Sequence, residues 1–189
     1  MLSSLILRNR SYRRFYQDVP VALDTLRQLV DLARLSASAA NRQPLKYFLS
    51  CDAEQNARIF PCLAWAAYLK EWAGPAEGER SSAYIVILGD KSIAQSFSID
   101  HGIAAQSILL GAAEQGLGGC IIASIRRDDL AQALNLPSQY EILLVLALGK
   151  PKETVVLEAL GADKDIRYWR DADGVHHVPK RSLDEVILS

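Results

Sequence analysis

The chain of 189 residues has little of what usually announces a protein's chemistry. Its cysteines are three, Cys51, Cys62 and Cys120, odd in number and widely spaced. They form neither a Cys-x-x-Cys metal pair nor a disulfide framework, which favours a reducing compartment, so a cytoplasmic location is expected. The three histidines, His101, His176 and His177, show no His-x-x-x-His spacing. Adjacent residues of a strand face opposite ways, so His176 and His177 do not make a ligand pair, and no metal site is expected. Charge of one sign is also missing, with 21 basic residues against 22 acidic ones. Nucleic acid and anionic membrane need a broad basic face, and neither is expected as a partner. No apolar run is long enough to span a membrane; Leu5-Ile6-Leu7 meets arginine at once and is too short even for a signal peptide. There is no Gly-x-Ser-x-Gly elbow and no P-loop, and Gly116-x-Gly118-Gly119 follows a helix instead of opening one. Cys120 lies in an expected buried strand, where a thiol is ordinarily a small packing group. An enzyme built from this chain would therefore have its chemistry carried by a cofactor.

What the chain does have is an ordinary globular composition, half apolar and 23% charged. Its length suits one domain with a proper core, so residues 1–189 are read as a single domain. Residues 2 to 8 fit a short helix. Leu23, Leu26, Val30 and Ala33 fall at helical spacing with Asp24 in the first turn, and predict a helix ending near Ser36. Leu45 to Ser50 suggests a strand, and residues 53 to 72 look helical, with a break or restart at Pro61. Gly74 to Ser82 reads as a surface loop. Tyr84 to Gly89, Cys120 to Ala123 and Tyr140 to Leu148 are continuous apolar runs of strand length. Between them, Ser98 to Gln115 predicts a long buried helix capped by Gly116, with Leu117-Gly118-Gly119 as a turn. Residues 126 to 134 read as a short helix that Pro137 ends. The tail is more charged, turns at Asp173-Gly174 and closes on a short helix over Leu183 to Leu188. Hairpin-like junctions and this separate tail argue against a regular doubly wound sheet.

Three polar segments stand out. Arg8, Arg10, Arg13 and Arg14 crowd into one short stretch beside Ser11. On a near-neutral chain such a cluster is either a solvated turn or the site of a local anion, and arginine forks with a serine hydroxyl suit a phosphate. Ser38-Ala39-Ala40-Asn41-Arg42-Gln43-Pro44 is either a helix stop with a turn or a set of hydroxyl and amide groups for a heteroaromatic ring edge and a polyol chain. Pro179-Lys180-Arg181 is either the solvated start of a terminal helix or a second cationic pair.

Taken together, these segments resemble the nitroreductase family of flavin mononucleotide (FMN) enzymes. The resemblance runs over nearly the whole chain. It includes Arg10-Ser11-Tyr12-Arg13-Arg14-Phe15, the Ser38 to Pro44 loop, and the helix around Asp100 to Gly116 leading into Leu117-Gly118-Gly119-Cys120. It continues through the strand closing at Leu148-Gly149-Lys150-Pro151 to the basic tail. Asn9 stands where many members carry another arginine, and the insertion that often covers the flavin is reduced to something near Trp65 to Ser82, with Lys70 in it.

The resemblance implies an α+β sandwich, an α-β-α arrangement around a mainly antiparallel sheet, with an exchanged C-terminal segment. It implies a homodimer with FMN at the subunit interface and residues 155–189 reaching over the partner. By position, Arg10 and Ser11 would hold the phosphate and ribityl end, helped by Lys180 and Arg181. Arg13 would approach the N1/O2 edge of the flavin, and Ser38, Asn41 and Gln43 would line the ring or ribityl chain. Backbone near Ala123-Ser124 and Gly149 would also approach the cofactor, while Arg8 and Arg14 receive no role. The implied activity passes hydride from NADH or NADPH through flavin N5 to a small electrophilic acceptor such as a nitroaromatic or quinone, with no catalytic side chain required. Rival readings are a flavin-binding dimer without nicotinamide turnover, and dehalogenation or flavin fragmentation on the same fold.

Overall fold

The computed structural model describes residues 1–188. Its sheet is built outward from the most apolar runs. Strand β3 (Ala83–Asp90) is buried at all eight positions because it is paired on both edges and covered on both faces. Strand β5 (Tyr140–Pro151) pairs with it from Ala83↔Leu148 to Asp90↔Tyr140, with a register shift at Ile87/Leu88. Strands β2 (Leu45–Ser50) and β4 (Gly118–Ile122) add to the outer edges of β3 and β5, and the two-residue β1 (Phe15–Tyr16) pairs with Lys150 and Pro151. Every one of these pairings is antiparallel.

Alternation along the strands sends side chains to two separate cores. Ile85, Ile87, Leu144, Leu146 and Leu148 pack under α2 (Leu23–Arg34) and α4 (Asp100–Glu114), against Leu26, Leu29, Ala105, Ile108 and Ala112. Tyr84, Val86, Leu88, Cys120, Ile122, Val145 and Ala147 face the other way, under α3 (Ala53–Ile59) and α5 (Arg127–Ala133), with Ile59, Leu63 and Leu130. The result is the expected α-β-α sandwich. The N-terminal α1 (Leu2–Arg8) contacts α4 and buries no residue fully. Gly116, at φ +72°, supplies the left-handed residue that ends α4.

Three expectations need correction. The helix read over residues 53 to 72 stops at Ile59; Phe60–Cys62 makes one tight turn around Pro61, and residues 63–82 hold no helix or strand. Proline has no N–H to continue the ladder. The apolar residues beyond it are spent on tertiary contacts, Trp65 lying against Phe60 with ring centroids 6.0 Å apart. Gly118 and Gly119 belong to β4 and do not form a turn. A Cβ on Gly118 would collide with the Tyr12 ring, and one on Gly119 would lie 2.6 Å from Leu109 Cδ2 and 2.8 Å from the Ala147 carbonyl. The glycines are there for close approach. Finally, the tail carries its own sheet: β6 (Val155–Ala159) runs parallel to β8 (His176–Lys180), and β7 (Trp169–Arg170) pairs antiparallel with β8 across the Asp173-Gly174 turn. The terminal helix α6 is limited to Leu183–Val186, opened by a Ser182/Glu185 capping box.

Candidate functional site

The arginine segment leaves α1 and runs beside β4. Ser11 bridges to Gly119, and the Tyr12 N–H donates to the Gly119 carbonyl at 3.0 Å. Phe15, fully buried, anchors the segment, and its N–H donates to the Glu79 carbonyl. The close packing that demands Gly118 and Gly119 therefore fixes where the arginines emerge.

The structure separates the arginines by their partners. Arg14 makes two 2.6 Å bonds to the Glu79 carboxylate, which Lys152 also meets at 3.1 Å. The Arg14 hydrogen bonds hold the Glu79 carboxyl down to about 2. Arg13 is different. Its guanidinium donates to the Ser11 carbonyl at 3.1 Å, meets His176 Nε2 at 3.3 Å and lies 4.9 Å above the Tyr168 ring. Among the described residues no acidic side chain pairs with it. Arg10 donates to the Ile6 carbonyl at 2.5 Å, and its Nε is buried without a partner. Glu153, close by, has a fully buried side chain that accepts from the backbone N–H groups of Arg13 and Arg14 and from Arg170 Nη2 at 2.9 Å.

Arg13 forms one wall of a cavity of about 190 Å³ whose floor is the end of β4 from Cys120 and the Ala123-Ser124 backbone that follows it, and whose far wall is Ala64–Ala67. The Ser11–Gly119 and Leu63–Ile125 bridges close its two ends; between them, among the described residues, no strand pairs with the outer edge of β4, and the Ser124 carbonyl beyond it accepts from the Ala64 N–H at 3.0 Å. Backbone N–H and C=O groups are thus offered to whatever lies there. Trp65 Nε1, from the far wall, is also buried without a partner. Burial pushes the Cys120 thiol up, which fits a packing group rather than a nucleophile.

The Ser38 to Pro44 loop is organised by α4. The Ser38 hydroxyl donates to Asp100 Oδ2 at 2.5 Å and accepts from the Gln43 N–H at 2.9 Å, while the Ala39 N–H donates to Asp100 Oδ1 at 3.0 Å. Ala40, Asn41 and Gln43 all hold positive φ, near +50°. Side chains with a Cβ resist that region, so the surroundings must over-determine the loop. The Asn41 side chain is exposed, and that of Gln43 turns back to the Asn41 carbonyl at 3.2 Å.

The expected site residues thus fall into separate groups. Arg13 shares a cavity with Ala123-Ser124, just past the end of β4, while Ser11 bridges to Gly119 in that strand and Arg10 turns back to the Ile6 carbonyl. Ser38, Asn41 and Gln43 sit at the first turn of α4, whereas Ser11 touches Gly119 just beyond its last turn. The fifteen residues of α4 span about 22 Å. Lys180 ends β8, with Arg181 next, and the strand's other end is the His176 that meets Arg13; four strand steps put about 13 Å between Lys180 and His176. Lys180 and Arg181 are both exposed, and Arg181 reaches only Glu185, at 3.9 Å. Lys70 is exposed and does not line the cavity. Sequence reasoning missed Glu153, Tyr168 and His176. A lone acid just after Lys152, beyond the end of β5, was a usable signal for Glu153; nothing local distinguishes Tyr168 or His176.

The sequence profile of the nitroreductase family matches residues 6–150. The chain belongs to that family. Among family relatives, a candidate NADH dehydrogenase/NAD(P)H nitroreductase of Archaeoglobus fulgidus is 24% identical over 157 residues, covering 79% of this chain and 84% of the relative. An FMN-dependent nitroreductase from Clostridium difficile is 25% identical, covers 77% of this chain and 86% of its own, and superposes with a TM-score of 0.63. The fold is likewise that of an NADPH:FMN oxidoreductase from Vibrio harveyi solved with NAD+, at 22% identity, 86% and 74% coverage and a TM-score of 0.66. Family membership makes the protein an oxidoreductase.

Proposed function

We propose that the protein is an FMN-dependent oxidoreductase that moves hydride from NADH or NADPH to a small electrophilic acceptor such as a nitroaromatic or quinone. The observation that carries this reading is the set of partners around Arg13. Arg13 is a cation with no carboxylate partner among the described residues, set in the wall of a cavity floored by a strand edge that no strand pairs. When bound, FMN would supply reversible two-electron chemistry and concentrate negative charge along its N1/O2 edge. A fixed guanidinium at that edge favours the reduced form, because a preorganised charge costs no reorganisation when the electrons arrive.

The residues fit the rest of such a ligand. Arg10, with its Nε unmatched, and Ser11 would hold the phosphate and ribityl end. The backbone just past β4 at Ala123-Ser124 would offer its N–H groups to the ring, the two carbonyls being met by Arg127 and Ala64. Ser38, Asn41 and Gln43 would serve the same flavin from a second copy of the chain, since the length of α4 separates them from Arg13. Ser38 would act mainly by shaping the loop, its hydroxyl being engaged by Asp100. A homodimer would also cover apolar side chains that are exposed on the single chain, such as Leu2, Leu7, Ile99, Leu183, Val186 and Ile187. In that dimer the tail from residue 155 would bring Lys180 and Arg181 to the partner.

The test is an absorbance spectrum. The purified protein, or the protein given FMN, should show flavin bands that bleach under anaerobic NADH or NADPH and return with a quinone or nitroaromatic, the flavin recovered intact. A colourless protein that takes up no FMN would overturn the reading. Bound FMN that nicotinamides leave oxidised would make it a binding protein, and consumed flavin would make it a flavin-fragmenting enzyme.

A further inference from the structure

His176 sits at the base of Arg13, and its chemistry is an odd choice for packing alone. It is 1% exposed, with its ring 5.1 Å from that of Tyr168. Arginine can only donate, so the 3.3 Å contact with Arg13 makes His176 Nε2 the acceptor and leaves the ring proton on Nδ1. Nδ1 is buried and has no partner. An unmatched buried donor costs about 1–3 kcal/mol. Phenylalanine would fill the space beside Tyr168 without that cost, so the acceptor on Nε2 is what the histidine adds.

A carboxylate would be the stronger partner for an arginine, and the neighbouring residue shows the consequence. Arg14 is gripped by Glu79 and its charge is neutralised on the spot. At Arg13 the available carboxylate, Glu153, is turned to backbone N–H groups and Arg170. The guanidinium itself meets only neutral groups: a carbonyl, an imidazole and a phenol face. Burial, with Arg13 and Arg170 close by, holds the His176 imidazole down to about 4, so the acceptor stays neutral through the ordinary pH range.

We propose that His176 is the positioning residue of Arg13: as a neutral acceptor it aims the guanidinium at the cavity beside β4 while leaving its whole positive charge for the reduced flavin. Tyr168 supports the guanidinium from below, and Glu153 fixes the backbone that carries it. The proposal rests on the FMN reading above.

The test uses the FMN-loaded full chain and measures the midpoint potential of the bound flavin by anaerobic spectroelectrochemistry at neutral pH. His176→Phe keeps the ring but removes the acceptor. It should lower the preference for reduced over oxidised FMN about tenfold, a downward shift of about 30 mV for a two-electron couple. His176→Gln, whose amide oxygen can stand where Nε2 does, should restore most of it. In an Arg13→Ala background, His176→Phe should shift nothing further. If His176→Phe does not fold, His176→Asn, whose amide falls short of Arg13, takes its place with the same expected shift. A wild-type potential in the acceptor-less variant, or an equal shift in the Arg13→Ala background, would reduce His176 to a packing residue. A wild-type chain that takes up no FMN would fail the flavin reading itself, before any variant is compared.

Discussion

At the scale of single residues, adjacent arginines of one type have opposite assignments because their partners differ. Arg14 holds the 74–82 loop through Glu79, so Glu79→Gln should cost about 2 kcal/mol of stability, the range for charge-assisted bonds, and leave FMN retention unchanged. Arg13→Gln should do the reverse, and urea unfolding beside FMN titration separates the two. The pH dependence follows from the same contact. A carboxyl held near 2 when folded and near 4.5 when unfolded contributes stability that is complete above about 4.5 and lost as pH falls through 2. Glu79→Gln should flatten that acid limb. The paired histidines act in opposite senses. His176, depressed to about 4, contributes stability present above 6.5 and lost as pH falls toward 4. His177 is raised by Asp171 and Glu158, so its contribution is complete below 6.5 and fades as pH rises through its higher folded value. Unfolding free energy measured from pH 4 to 8 should therefore lose its neutral-to-acid fall in His176→Gln, and its fall with rising pH beyond 6.5 in His177→Gln.

At the scale of elements, the loop after α2 and the first turn of α4 form one unit. Ser38→Ala would leave Asp100, 4% exposed, without a hydroxyl donor, and should cost about 2 kcal/mol in thermal or urea unfolding. Asn41→Gly keeps a residue suited to φ +53° and removes only an exposed amide; its stability should stay within about 0.5 kcal/mol while FMN retention falls. How much of this was legible depends on where each signal resides. Strands β3 and β5 and helix α4 declare themselves because burial on both sides makes them apolar throughout. The tail strands do not, being short and half exposed, with β6 and β8 paired across the intervening residues 160–175. The stretch after Pro61 imitates a helix because Trp65 and its neighbours are apolar for tertiary reasons. The arginine segment and the Ser38 loop were legible as polar clusters in family order. The split between Arg13 and Arg14 was not, since it is made by Glu79, Glu153 and His176 from distant parts of the chain.

At the scale of the whole molecule, the separation along α4 turns an assignment of residues into a statement about assembly. If one flavin needs the arginine segment of one copy and the Ser38 loop of another, defects in the two segments must complement each other in a mixed dimer. Consider a chain carrying Arg10→Ala and Arg13→Ala, and a second carrying Ser38→Ala and Asn41→Gly. Each homodimer has two broken sites. In the mixed dimer one site combines both defects, and the other combines the intact arginines of the second chain with the intact loop of the first. Random mixing through unfolding and refolding should therefore restore about one quarter of the wild-type FMN sites, following from the two-fold symmetry of such a dimer. Sites built within a single chain would give no recovery, because every chain in the mixture carries a defect. Flavin absorbance per protein, read after size-exclusion of the refolded mixture, distinguishes the two outcomes without a turnover assay. Recovery would assign the Ser38 loop to the partner's flavin; its absence would require the loop to reach its own chain's Arg13 across the length of α4.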